Sequence, residues 1–532
     1  GRGMLLVLDN LEHLLPLPFL TRLLTACREV TILATSRVVL RLSGEHQYVV
    51  PPMDVPSLEA LPSVEDLARI ESVALLVSRA RQVVPDFELT PDNAGAIAEL
   101  CVRLDGLPLA IELAAARLKV FPPAALLDRL SDRLALLTGG PSDSPAHQRT
   151  IRDTLGWSHD LLSAPEQRLF RRLAVFAGTI TPEAAASICL DGEADAGSEV
   201  VALDALVSLV DQSLLQQVQH PTDGPRFYLL ETVRHYAQEQ LERAGEAPVI
   251  RARHARYFLN AAEQVAPLLV GPDQATWMAW LENEQANLWT ALRTFRADDD
   301  RKGYARLACA LWRFWRARGK LAEGRAWLEP VLDVAWEASL PAALRSHAFT
   351  DVGWLALEQG DVRHAEACGE QALAIAAGAA DDSALGRALG LLSFVDHRRG
   401  EYGRAIARME ASLAHHRAAR DADSVAGALN NLAILLMETG DFARAAATCA
   451  ESRDAFLALG NLHGASHSID TMGVALYCLG RFEEAMRCSR ESLAIDRRLE
   501  DRRGIAVSLD HVGKCARALG DLVAAWEAHR ES

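Results

Sequence analysis

Apolar positions along this chain fall into two patterns. Near the start, MLLVLD (residues 4–9) and VTILAT (30–35) are short, unbroken and rich in Val, Ile and Leu, as strands covered on both faces of a parallel sheet are. Residues 11 to 27 leave room for a crossover helix, and QYVVPP (47–52) reads as a third short strand that stops at a Pro-Pro break. From about residue 62 the spacing becomes helical. Thr90 followed by Pro91 marks a helix start, Gly106 follows that helix, and GLPLAIELAAARL (106–118) begins the next. TGGPSDSP (138–145) marks a boundary. Further helices then give way to SLLQQVQ (213–219) and RFYLL (226–230) around a turn at PTDG (221–224), a hairpin placed like the wing of a helix-turn-helix unit. Helices resume through 246–295, and the charged run DDDRK (298–302) reads as a solvated loop.

The remainder repeats. Gly360, Gly400, Gly440, Gly480 and Gly520 recur every 40 residues, each closing one helical segment. Five positions after them stand Ala365, Ala405, Ala445, Ala485 and Ala525, and seven further on Ala372, Ser412, Ser452, Ser492 and Ser532. Gly353, Ser393, Ala433, Gly473 and Gly513 lie seven positions before the glycines. Small residues in these registers allow the two helices of a hairpin to cross closely, so the array is a helical solenoid. A looser unit with Gly319, Gly324, Trp312, Trp315 and Trp327 reads as an atypical first repeat closed by bulky side chains.

Composition narrows the options. A chain of 532 residues exceeds the roughly 250–300 that one core organises, so several domains are expected. Half the residues are hydrophobic and 6% aromatic, with Ala and Leu prominent, which favours mostly helical structure. A net charge of −16 argues against a broad nucleic-acid surface and leaves room only for a local basic patch, such as Arg149, Arg152, Arg168, Arg171 and Arg172, whose periodic spacing reads more simply as a solvated helix face. Nine scattered cysteines without a C-x-x-C pair read as small buried residues in a reduced compartment. His159 and His254 lack partners at metal or triad spacing and read as structural. No apolar run reaches the roughly 18 residues of a membrane helix and no leader is evident, so the cytoplasm is the expected location.

LLVLDNLEH (5–13), ILATSR (32–37), GLPLAIELAAARL (106–118), RTIRDTLGWSHDLLSAPEQRLFRRLAVFAG (149–178) and RFYLLETVRHYAQE (226–239) occur in one order with sensible gaps. Together they resemble the signal-transduction ATPases with numerous domains (STAND, NB-ARC-like), in the bacterial branch related to antibiotic-regulatory and LuxR-type activators. The 40-residue units resemble lengthened tetratricopeptide repeats. The resemblance implies a mostly α chain. Its parts would be the C-terminal part of a P-loop NTPase α/β sheet (1–55), a helical domain (56–140), a winged-helix domain (141–245), a helical linker (246–303) and a tetratricopeptide-like α-solenoid (304–532).

It also implies roles for single residues. Asp9 matches the acid that holds Mg²⁺, Asn10 occupies the position of a second, water-activating acid, Arg37 matches a sensor for the γ-phosphate, and Pro108 matches a proline packed on the nucleotide base. An amide cannot act as a general base, so hydrolysis is expected to be slow at most. Leu229, Leu230 and Glu231 stand where eukaryotic cousins carry a Met-His-Asp nucleotide sensor. Neither Gly319-Lys320 nor Gly513-Lys514 has the glycine five positions earlier that a phosphate loop needs, and residue 532 falls inside a second helix of the solenoid with no closing unit after it, so the sequence reads as a fragment cut at both ends. ATP or ADP with Mg²⁺ is therefore expected only where that loop is present. The implied function is a nucleotide-dependent switch, a transcriptional regulator whose repeats sense a protein or small-molecule inducer. Its DNA contacts would lie in a domain outside this chain, and it could oligomerise on activation. The alternative is a protein-interaction scaffold with a vestigial nucleotide domain.

Overall fold

The computed structural model describes residues 3–8, 11, 18–27, 29–36, 39–40, 42–48, 50–130, 151–191, 196–212, 214–220, 224–270, 273–499 and 501–532. The chain divides into two compact units, Gly1–Tyr257 and Phe258–Ser532. The architecture is mostly α.

In the first unit, β1 (Met4–Leu8) pairs in parallel with β2 (Val30–Ala34), and α1 (Pro18–Ala26) lies between them in sequence. Leu11 and Leu20 form a small core with Leu8, Ile32, Leu40 and Leu42, whereas Met4, Leu5, Val7 and Leu33 stay exposed. The described residues of 47–52 form no strand, which corrects the sequence expectation. Pro51 and Pro52 have no N–H for a ladder, and Met53 instead donates its N–H to the Gly106 carbonyl, turning the chain toward the helical segment.

Five helices follow: α2 (Val64–Leu67), α3 (Glu71–Val83), α4 (Pro91–Arg103), α5 (Pro108–Arg117) and α6 (Pro123–Leu130). Thr90 and Asn93 form a reciprocal capping box at the start of α4, with Pro91 in the first turn. The boundary expected at 138–145 lies outside the described residues. Next come α7 (Ile151–Asp160), α8 (Ala164–Leu173), α9 (Pro182–Cys189) and α10 (Ala196–Asp211). The antiparallel pair β3 (Gln216–His220) and β4 (Gly224–Tyr228) leads into α11 (Glu231–Arg243). Ile180 bridges Phe227 through two backbone hydrogen bonds, so the hairpin is tied to the start of the α9 turn.

After α12 (Ala247–Val265), α13 (Gln274–Asn283) and α14 (Gln285–Ala297), the second unit continues through α15 (Arg301–Ala317) and α16 (Leu321–Leu328). DDDRK is not simply a loop: Asp300 caps α15 by accepting the Gly303 N–H at 2.8 Å, and Arg301 and Lys302 are already helical. Trp315 and Tyr304 are fully buried here, and Trp289 packs on Trp315 and Trp327 with ring centroids 5.8 and 6.1 Å away. Five hairpins follow, made of α17 (Ala342–Glu358) with α18 (Val362–Ala379), α19 (Asp382–Arg398) with α20 (Tyr402–Ala418), α21 (Ala422–Glu438) with α22 (Phe442–Ala458), α23 (Leu462–Cys478) with α24 (Phe482–Arg498), and α25 (Arg502–Ala518) with α26 (Leu522–Glu531).

The repeated glycines end the first helices at φ of +84° for Gly360, +77° for Gly400 and +85° for Gly520, a left-handed conformation that costs an L side chain about 1 kcal/mol or more. The repeated serines do more than stay small. Ser412, Ser452 and Ser532 donate Oγ–H to the carbonyls of Gly386, Ala426 and Ala506 at 2.6, 2.7 and 2.8 Å, so one side-chain bond recurs from hairpin to hairpin. First helices of successive hairpins also pack on one another, α15 on α17, α17 on α19, α21 on α23 and α23 on α25.

The cysteines depart in part from expectation. Cys27 and Cys478 are exposed and Cys309 is half-buried, while the other six are buried. No helix among the described residues is long and apolar enough to cross a membrane, and no group of three potential metal ligands occurs among them.

Candidate functional site

Three of the four residues singled out from the sequence, Asp9, Asn10 and Arg37, lie outside the described residues. Their neighbours are described. Leu8 and Ala34, the last residues of β1 and β2, are partners in the parallel register, the Thr35 N–H bonds the Leu8 carbonyl at 2.9 Å, and the Leu11 N–H bonds the Thr35 carbonyl at 3.1 Å. The two strands thus end together at one edge. That edge is the kind at which open α/β sheets bind their ligands.

Pro108 is exposed in the first turn of α5, with Leu107 and Leu109 half-buried on either side. The loop before it is tightly fixed. Gly106 has φ +64°, and a Cβ there would stand 2.2 Å from the Met53 carbonyl oxygen, so only glycine fits. Asp105, at φ +55°, holds a left-handed conformation without being glycine.

The carboxylate of Asp105 accounts for that conformation. Its Oδ2 accepts the backbone N–H of Thr232 at 3.0 Å and the Thr232 hydroxyl at 3.1 Å, so a residue of the GLPL loop supplies the N-terminal cap of α11, 127 positions later. Burial pushes the Asp105 carboxyl up from its ordinary value, against the pull of the hydrogen bonds from Thr232. Glu231 is turned away toward Arg234 and His235, at 3.1 and 3.2 Å, and the His235 bond leads in holding its carboxyl low. The helical segment and the winged unit are therefore latched at Thr232, directly after Leu229, Leu230 and Glu231, the positions that match the Met-His-Asp triplet. Sequence reading missed Asp105. Its only signal is an acid directly before GLPL, which by itself reads as turn chemistry.

The arginines that might form a basic face are engaged internally. Arg152 pairs with Glu239, Arg168 with Asp191 at 3.4 Å, and Arg171 with Glu246 at 2.8 Å. Arg172 is buried rather than solvated and bonds Glu246, Asp191 and the Cys189 carbonyl. Hydrogen bonds from Arg171 and then Arg172 bring the Glu246 carboxyl down to about 2. Arg149 lies outside the described residues. Of the remaining cationic candidates in the hairpin, Arg226 is buried and donates to Thr179 at 2.8 Å. The helix before the wing, α10, contains no Lys or Arg; it exposes Val200, Val201, Asp204 and Val207. His159 packs among Phe170 and Tyr236, and His254 is buried edge-on to Phe176 at 5.3 Å, both in structural surroundings.

A winged helix-turn-helix domain model matches residues 162–242, the span from α8 to α11, and a tetratricopeptide repeat model matches 466–500, across α23 and α24. The chain carries both modules. A Mycobacterium tuberculosis protein whose name describes an HTH-type transcriptional regulator is 38% identical over 398 residues, covering 73% of this chain and 43% of the relative. The chain thus spans less than half the length of that curated relative. An uncharacterized M. tuberculosis protein is 38% identical over 256 residues, 48% of this chain and 61% of its own length. Among solved structures, a STAND protein with a tetratricopeptide repeat sensor from Pyrococcus horikoshii aligns with TM-score 0.46 and 14% identity over 99% of this chain and 74% of that one.

Proposed function

We propose that this chain is the switching part of a nucleotide-dependent transcriptional regulator of the STAND type, in which the winged unit is a clamp and the repeats are the sensor. The observation that carries the reading is the latch from Asp105 to the N-terminus of α11, because it ties the loop beside Pro108 to the winged unit. In this reading Asp9 holds Mg²⁺, Arg37 reaches the terminal phosphate and Pro108 packs on the base. A bound nucleotide supplies the difference in charge between triphosphate and diphosphate on which two states depend. Asn10 in place of a second acid keeps turnover slow, as suits a switch. A ligand on the repeats shifts the balance only by its differential affinity for the two states.

The winged unit, in this reading, does not itself read DNA. In helix-turn-helix proteins the second helix of the motif enters the major groove, and here that helix, α10, offers valines and acids to a polyanion. DNA contacts are assigned to another domain of the regulator.

The test is ATP binding by the full-length natural protein and its Asp9→Ala variant, with and without Mg²⁺. Metal-dependent binding that falls at least tenfold in the variant is expected. Equal metal-dependent binding in both removes Asp9 from its role, and no binding in either favours the scaffold.

A further inference from the structure

The third helix of the winged unit, α10, is apolar on two opposite sides. Ala202, Leu206 and Leu209 are buried, and Ser208 ties the helix to α8 by donating its hydroxyl hydrogen to Glu166. On the other side Val200, Val201 and Val207 are 59, 58 and 44% exposed. Single exposed valines are ordinary, but these share one face: Asp204 lies one turn after Val200 and Val201, and Val207 one turn after Asp204. A helix that is apolar all round is normally covered all round.

The charge on this part of the surface has one sign. Glu199, Asp204 and Asp211 belong to α10, Glu183 belongs to α9, which packs beside it, and neither helix contains a Lys or Arg. Repulsion from Glu183 holds the Glu199 carboxyl above its ordinary value, as two carboxylates without a cation between them do.

That sign selects the occupant. Duplex DNA and an anionic bilayer would bring phosphate to carboxylate. A second copy of this chain, paired through the same stripe about a two-fold axis, would bring the acids of one copy to the acids of the other. A surface that joins aliphatic groups to cations meets both the valines and the carboxylates. The stripe runs along two turns of a helix, and the shape that packs along such a ridge is another helix.

We propose that the outward stripe of α10 docks a basic amphipathic helix of a partner protein, whose apolar side lies on Val200, Val201 and Val207 and whose flanking Lys or Arg side chains pair with Asp204 and Glu199. The helix that enters the major groove in helix-turn-helix proteins here reads a protein instead. The binding needs only the surface of the winged unit and stands apart from the nucleotide switch.

The experiment uses two fluorescent helix-forming peptides of about 18 residues, past the length at which isolated helices are marginal. Both carry a leucine stripe, flanked by lysines in one and by glutamates in its twin. They are titrated into the whole chain, its Val200→Ser/Val207→Ser double variant and its Asp204→Lys variant, all three checked for equal helicity and melting. One lysine-flanked peptide per chain is expected, with the twin roughly tenfold weaker or more. The serine substitutions should weaken the lysine-flanked peptide by roughly tenfold, as for lost apolar burial. Asp204→Lys should weaken it too and strengthen the glutamate-flanked twin. No binding of the lysine-flanked peptide overturns the site, and so does binding that none of the substitutions changes, which is diffuse attraction to an acidic chain. Concentration-dependent dimers of the chain, or a mobility shift of duplex DNA, that disappear with the serine substitutions would give the stripe to a second copy or to DNA and overturn the partner helix.

Discussion

At the scale of single residues, two charged groups give opposite pH signatures. Burial raises the Asp351 carboxyl to about 7, against Arg387 and Arg313, so its contribution to stability is fully present below the unfolded value near 3.8 and is lost as pH rises through about 7. Burial, followed by Arg387, lowers His347 to about 4, so its contribution is present above 6.5 and is lost as pH falls toward 4. Between pH 4 and 7 the two largely cancel. Asp351→Asn should uncover the histidine, making the melting temperature fall on acidification from pH 7 to 5 by several degrees more than in the parent; identical pH profiles by thermal denaturation would count against the burial argument. Asp105→Ala should cost about 1 kcal/mol of unit stability as a lost cap, whereas Asp105→Asn, which tolerates the left-handed backbone and can still accept the Thr232 N–H, should cost less. Urea unfolding of both variants checks the order. None of these partnerships was legible in the sequence, because each joins residues at least 36 positions apart that carry no motif of their own.

At the scale of elements, the sequence was far more readable. The left-handed glycines and the capping residues are local chemistry, so periodicity found the hairpins and their ends, and Thr90-Pro91 located α4. It failed where tertiary bonds decided: 47–52 looked like a strand until Met53 was drawn to Gly106, and Asp300 converted a charged run into a helix start. The two kinds of glycine should respond differently. At Gly400 an added Cβ meets open space, so Gly400→Ala should cost about 1 kcal/mol of backbone strain alone. At Gly106 it meets the Met53 carbonyl, so Gly106→Ala should cost roughly 3 kcal/mol or more. Chemical denaturation giving equal losses would contradict the packing account. The acidic, valine-bearing α10 gives a second element-level expectation: this chain should not retard duplex DNA even at low salt, and a salt-sensitive mobility shift would contradict the proposed clamp role of the winged unit.

At the scale of the molecule, the module order helical segment, winged helix-turn-helix and tetratricopeptide array was visible because each module leaves a short-range signature, a proline-started helix, a hairpin after helices and a 40-residue period. The coupling between modules was not, since it runs through one carboxylate at a helix start. That carboxylate is also where the account is most exposed to test. Amide hydrogen exchange of the full-length protein, read at Thr232 and the first turn of α11, should be slow with ADP and measurably faster with ATP, as the Asp105 latch opens, and Asp105→Ala should exchange fast in both. Equal protection of Thr232 in the two nucleotide states, with ATP shown to be bound, would contradict a winged unit that works as a nucleotide-controlled clamp.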